Sequence, residues 1–209
     1  MKKDTLTPER IASEALRLID SDGLEKFSTR KLGAALGIEA MSLYHHFPSK
    51  GQLLDAVADL LMAQVEVPSE PAHDPIARLR EAISSYRTVS RAHPNAFLLI
   101  AARRFNTPAA LGFLEKLLTL LQDAGLSAER AARHFRLLGY FLNGALLSEL
   151  TISGQRPDST GSTVDSGVPA HYPAIAKSAP YLGPTYLDAT FDEGTEALLA
   201  LIAAELEQH

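Results

Sequence analysis

The chain has 209 residues, of which 46% are hydrophobic, with no cysteine, no tryptophan and a formal net charge of −5. That composition suits one or two packed globular units, and the missing cysteines exclude disulfide frameworks, thiolate metal sites, cysteine nucleophiles and thiol redox sensing. The opening MKKDTLTPER carries no apolar leader core, and no window approaches the roughly 18 apolar residues of a bilayer span, so a soluble cytoplasmic protein without a membrane partner is expected. The acidity is uneven. Residues 1–50 hold eight Lys or Arg against seven Asp or Glu, whereas residues 51–209 hold twelve against eighteen. A near-neutral segment therefore precedes an acidic body.

Apolar residues recur at three- and four-residue intervals almost throughout, which predicts an all-α fold. Thr7 as N-cap and Pro8 at the first helical position open a first helix with Ile11, Ala12, Ala15, Leu18 and Ile19 on one stripe, and Gly23 is its left-handed stop. Ser28 caps a short second helix that buries Leu32, Ala35 and Leu36 before Gly37 breaks it. A third helix over residues 39–47 buries Leu43 and Phe47 and ends at Pro48. Ser49 with Gln52 makes a capping box for a fourth, carrying Leu53, Leu54, Val57, Leu60 and Leu61.

The segment EVPSEPAHDP reads as a connector, after which Asp74 and Pro75 begin a fifth helix to residue 92. Residues 95–104 form a sixth. Thr107 and Pro108 open a seventh that Gly125 closes, and Ser127 caps an eighth that runs to residue 152. The eighth is the most apolar, and its Gly139 and Gly144 permit close approach of another backbone. Residues 153–170 have a loop composition. A weak ninth helix at 174–178 and a final one at 192–207, with Ala197, Leu198, Leu201, Ile202 and Leu206 on one side, complete the chain.

The stretch STRKLGAALGIEAMSLYHHFPSK, residues 28–50, carries the functional information. Two short helices joined through Gly37 make a helix-turn-helix, whose second helix enters the major groove of DNA. With Leu43 and Phe47 turned inward, Ala40, Met41, Ser42, Tyr44, His45 and His46 occupy the remaining faces. Ser42 can donate or accept at a base edge, Ala40 and Met41 can touch a thymine methyl, and Tyr44, His46 and Lys50 suit phosphates. Arg30 can reach a guanine edge, and Thr29 can hold a phosphate at the start of the supporting helix. A metal at His45 and His46 is disfavoured, because neighbouring helical side chains diverge by about 100°.

This stretch and its continuation GQLLDAV resemble the DNA-binding module of the tetracycline-repressor (TetR) family, and TRKLGAALGIE most resembles the tetracycline-repressor branch. The resemblance implies an all-helical homodimer. Residues 1–50 are its helix-turn-helix head, 51–65 its connecting helix and 66–209 its ligand-binding and dimerisation domain. It also implies DNA contacts at Thr29, Arg30, Ala40, Met41, Ser42, Tyr44, His45, His46 and Lys50, and dimerisation through the eighth and final helices. Anchoring on His93 puts Ile100 where tetracycline-binding members use a metal-binding His, so a magnesium–tetracycline chelate is not the expected ligand.

The expected partners are a double-stranded DNA operator and a small-molecule effector, with no cofactor and no metal. The effector pocket is expected to draw on Tyr86, Phe97, Ile100, Arg104, Phe113, Leu117, His134 and Asn143. A helical enzyme using His93 or His134 as base finds no support in any phosphate loop, HExxH, GxSxG or paired-carboxylate motif. A helical interaction protein whose head binds protein instead of DNA is the other alternative.

Overall fold

The computed structural model describes residues 6–68, 74–103, 107–152 and 171–207. Among these residues there is no strand. The α-helices are α1 (Pro8–Asp22), α2 (Thr29–Leu36), α3 (Lys50–Met62), α4 (Pro75–Ala92), α5 (Phe97–Arg103), α6 (Pro108–Asp123), α7 (Ala128–Ile152), α8 (Pro173–Ser178) and α9 (Leu187–Leu206). The predicted third helix is instead a 3₁₀ segment, Ala40–His45, so the predicted fourth to eighth helices are α3 to α7. Its brevity accounts for the change. Glu39 is extended and Pro48 disfavours helical geometry in the residue before it, which confines the segment to six residues, long for a 3₁₀ run and short for an α-helix. Residues 153–170, expected as a loop, and Arg104 lie outside the described residues.

The helix starts follow from local chemistry. Thr7, Ser28, Ser49, Thr107 and Ser127 each accept, through the side-chain oxygen, from the backbone N–H three residues on, at 3.2–3.3 Å. Each satisfies one otherwise unpaired first-turn donor. Gly37 ends α2 in the left-handed region at φ 69° and ψ 32°. Gly23 also has positive φ, at 88°, but its ψ of 151° sends the chain out extended, so it is not the left-handed stop expected there.

The chain divides into two compact units. One comprises residues up to Glu66 together with Thr88–Lys116, and the other Val67–Arg87 together with Leu117 onward. In the first, α1 packs on α2 and α3, and α3 packs on α5. Ile11, Ala15 and Ile19 of α1, Leu32 of α2, Leu53, Val57 and Leu61 of α3, and Phe97 and Ile100 of α5 are almost wholly buried. Asn95, expected inside the helix that became α5, instead donates from Nδ2 to the Asp20 carbonyl at 2.7 Å, and the helix begins two residues later.

In the second unit α7 buries Ala131, His134, Leu138, Leu142, Leu146 and Leu150, a stripe at four-residue intervals with one of three, and packs on α9. The inward stripe of α9 is Phe191, Thr195, Leu199 and Ile202, while Ala197 and Leu201 are exposed. The side expected to be a single apolar face is thus shared between inside and outside, because the second half of α9, residues 197–206, is apolar nearly all round and sequence cannot fix its rotation. Gly194 provides the close approach between these helices: a Cβ there would lie 2.5 Å from the Phe141 ring, whereas at Gly144 it would meet nothing. α9 begins five residues earlier than expected. Arg87 accounts for the extra turn, since its guanidinium donates to Asp188 at 2.7 Å and contacts Asp192 at 3.5 Å.

Candidate nucleic-acid interface

The head presents its outward surface by fixing its inner one. Gly33, inside α2, faces the chain entering the 3₁₀ segment so closely that a Cβ would lie 2.9 Å from the Ile38 carbonyl oxygen and 3.1 Å from the Ala40 nitrogen. Leu32 and Leu43, 0% and 2% exposed, hold α2 and the 3₁₀ segment to the core beneath. With Leu43 locked inward, Met41 is 70% exposed and Tyr44 40%, and His45 is exposed beside them. Ala40, Ser42 and His46 are half-buried at the edges of that surface, and Phe47, expected inside, is half-buried as well.

The flanks carry the cations. Arg30 is exposed and Thr29 half-buried in the first turn of α2, where the Ser28 hydroxyl caps only the Lys31 N–H. First-turn amides have no intrahelical acceptor, and they carry the positive end of the helix dipole. Lys31 is drawn aside to Asp22 at 3.0 Å. Lys50 has an internal tie, donating from Nζ to the Phe27 carbonyl at 2.9 Å with its ammonium 5.4 Å from the Phe27 ring centre. Two of its three N–H donors remain for other acceptors.

The residues expected to meet an effector fall in both units. Phe97 and Ile100 are fully buried on α5, and Phe113 is half-buried on the part of α6 that belongs to the first unit. In the second unit Tyr86 and Asn143 are brought together, the phenol donating to Asn143 Oδ1 at 3.1 Å, and Leu117 is buried. His134 stands elsewhere. It is nine residues from Asn143 on the same helix, about 13 Å at the usual rise, and its Nε2 lies 3.1 Å from Glu205 Oε2. The two atoms are close but do not meet ordinary hydrogen-bond geometry. Arg133 donates to the other Glu205 oxygen at 2.6 Å. The Glu205 carboxyl is held below its ordinary range by His134 first, with Arg133 and Arg130 adding to it against a desolvation that acts the other way.

Sequence reasoning missed the carboxylates. Asp20 accepts from His93 Nδ1 at 2.8 Å, Glu149 receives both Nε and Nη2 of Arg87, and Asp59 reaches the start of α6. No local pattern marks them, because the partners just named lie 50 to 73 residues away.

A helix-turn-helix head followed by a larger all-helical body defines a class of DNA-binding regulators. Residues 11–57 match the family described as "Bacterial regulatory proteins, tetR family", and residues 67–206 match "Tetracyclin repressor-like, C-terminal domain". The chain belongs to the TetR family: it is a DNA-binding transcriptional regulator of the repressor type, released by an effector. The tetracycline repressor protein class C of Escherichia coli is 31% identical over 97% of this chain and 91% of that one. The HTH-type transcriptional repressor DrrR1 of Streptomyces coeruleorubidus is 32% identical over 71% of this chain and 55% of that one. The Streptomyces coelicolor TetR family protein ActR, solved in complex with actinorhodin, superposes with a TM-score of 0.81 at 28% identity, covering 97% of this chain and 99% of that one. No helix among the described residues is long and apolar enough to cross a membrane.

Proposed function

We propose that this chain acts in the cytoplasm as a homodimer that holds a pseudo-palindromic operator and releases it when an aromatic small molecule binds. The observation that carries the DNA contacts is the exposed strip of Met41, Tyr44 and His45 held in place by a buried Leu43. Met41, Ser42 and His45 read base edges, with Ala40 against a thymine methyl and Arg30 paired to a guanine. Thr29, Tyr44, His46 and Lys50 take phosphates and set the register. Residues 1–50 serve as the head, 51–65 as the connecting helix and 66–209 as the effector and dimerisation domain.

The second copy docks on α7 and α9. Beyond its inward stripe each helix carries an exposed apolar one: Tyr140, Gly144 and Leu147 on α7, and Ala197, Leu201 and Ala204 on α9. All six sit at helical spacing, and small residues among them let backbones approach, as a self-complementary two-fold interface requires. The symmetry then matches the operator, whose half-sites lie about 34–36 Å apart. Tyr86 and Asn143 supply the polar handle for the effector.

The test is binding to duplexes selected from the chain's own upstream region across a salt series. Affinity falls steeply with salt, and Arg30→Ala weakens the selected site by about 2 kcal/mol, roughly 30-fold. Tyr44→Ala weakens all duplexes alike, whereas changes at Met41 or His45 alter base preference. Absence of any duplex binding at low salt would sink this assignment.

A further inference from the structure

The last turn of α1 departs from the ordinary helix pattern. The carboxyl end of a helix is the negative end of its dipole and favours cations, yet α1 ends on Asp22 and carries no basic residue in that turn. The carboxylate is held from beside and beyond the helix. Its Oδ1 accepts from the neighbouring Ser21 hydroxyl at 2.8 Å, and its Oδ2 accepts from Lys31 Nζ at 3.0 Å, nine residues on in the first turn of α2. Ser21 first and then Lys31, with a weaker pull from Lys26, keep the Asp22 carboxyl below its ordinary range. Both partners of the ion pair stay open to water, with 48% of the Lys31 side chain and 36% of the Asp22 side chain exposed. An exposed pair of this kind adds little to stability. It stands, however, beside Thr29 and Arg30, on the turn to which DNA contacts are assigned.

We propose that Asp22 is a positioning residue that withholds Lys31 from the DNA backbone and so weakens the head's hold on every duplex alike. This rests on the DNA contacts proposed above and adds the residue that limits their strength. A cation strengthens binding when it takes the place of a counterion at a phosphate. For Lys31 that move exchanges one anionic acceptor for another. It gives up a charge-assisted hydrogen bond and leaves Asp22 bare at the negative end of α1, beside a polyanion whose field salt screens only in part. The gain at the phosphate is thereby offset, and the ammonium stays on Asp22. Lys50 differs, because its tie is to an uncharged carbonyl and its full charge remains for a phosphate.

The experiment is binding of the full-length protein to two duplexes, one selected with the unaltered chain and one scrambled, over a salt range of about 50 to 200 mM. Asp22→Asn, which keeps an acceptor for Ser21 and removes the charge, frees Lys31 and tightens both duplexes by the same factor. Its log K falls more steeply with log salt, by about 0.9 for each head bound, so roughly 3-fold more affinity per head is lost over that range. Asp22→Glu keeps the charge and matches the unaltered chain. Adding Lys31→Gln to Asp22→Asn removes the extra slope, whereas Lys31→Gln in the unaltered chain changes the slope far less. An Asp22→Asn slope equal to that of the unaltered chain overturns the proposal. So does an equal effect of Lys31→Gln in both backgrounds, because the two charges then act independently. Tightening confined to the selected duplex overturns it as well, since that would place Asp22 among the base-reading groups. Failure of the unaltered chain to bind any duplex overturns the DNA contacts proposed above and the inference with them.

Discussion

The caps that start α1, α2 and α3 in the head join residues three apart, whereas the ion pairs of the second unit join residues 62, 101 and 116 apart. The head also places only its edges in contact with charge, its middle being Ile11, Ile19, Leu32 and Leu43. In the second unit a guanidinium sits near the middle. The Arg87 side chain is 11% exposed and lies between Glu149 and Asp188 with the face of Phe191 3.9 Å away. The head has to present one fixed surface, and short-range chemistry makes such a surface from few residues. If the second unit holds the effector, as proposed above, it has to favour one arrangement over another when the ligand binds, which a network of several charged partners suits better than a fixed apolar surface does.

Four substitutions can break or sharpen that contrast. The largest effect belongs to the head's apolar anchor: Leu43→Ala should lower stability by about 3 kcal/mol in urea unfolding and remove operator binding with it. A loss below about 1 kcal/mol would mean that the head does not depend on this contact. Next comes Glu149→Leu, which strips the buried carboxylate from Arg87 while leaving the exposed Asp188 and Asp192. We expect about 2 kcal/mol, below the usual range for a broken buried pair because two acceptors remain. Adding Arg87→Met should recover most of it, and if the double variant is no better than the single one, the pair is not acting as a unit.

Ser28→Ala should remove about 1 kcal/mol, the ordinary value of a helix cap, with the loss read in thermal unfolding as a lower Tm and in DNA binding as a looser α2. The smallest effect is a pH dependence. Glu205 has a folded-state pKa below its unfolded value, so its contribution is fully present above the ordinary carboxylate range and is lost as pH falls through the depressed value. The Tm of the unaltered chain should therefore fall more steeply below about pH 4.5 than that of Glu205→Gln. Parallel curves would show that His134, Arg133 and Arg130 do not favour the ionised carboxyl.

The same contrast explains what sequence could disclose. Thr7, Ser28, Ser49, Thr107 and Ser127 announce their helices because a cap acts on a group three residues away. The exposed face of the 3₁₀ segment follows once Leu43 is turned inward. The rotation of α9 was not legible, since its second half is apolar nearly all round and has no preferred face until Phe191 and Gly194 meet Phe141. Nor were Asp20, Asp59, Glu149 and Glu205, for acids on helices ordinarily face water and only the fold brings their partners to them.

One consequence of the 3₁₀ geometry concerns how this regulator can acquire a new target. At three residues per turn, side chains at i and i+3 eclipse, so the outward surface is two parallel columns: Met41 above Tyr44, and Ser42 above His45. In the roles proposed above, the first column pairs a base reader with a phosphate anchor, and the second holds two base readers. Variation in the second column can therefore explore new operators while the backbone grip stays intact, whereas variation at Met41 disturbs the anchor under it. Drift in operator sequence among descendants of this chain should accordingly be carried by Ser42 and His45, with Met41 and Tyr44 changing only together.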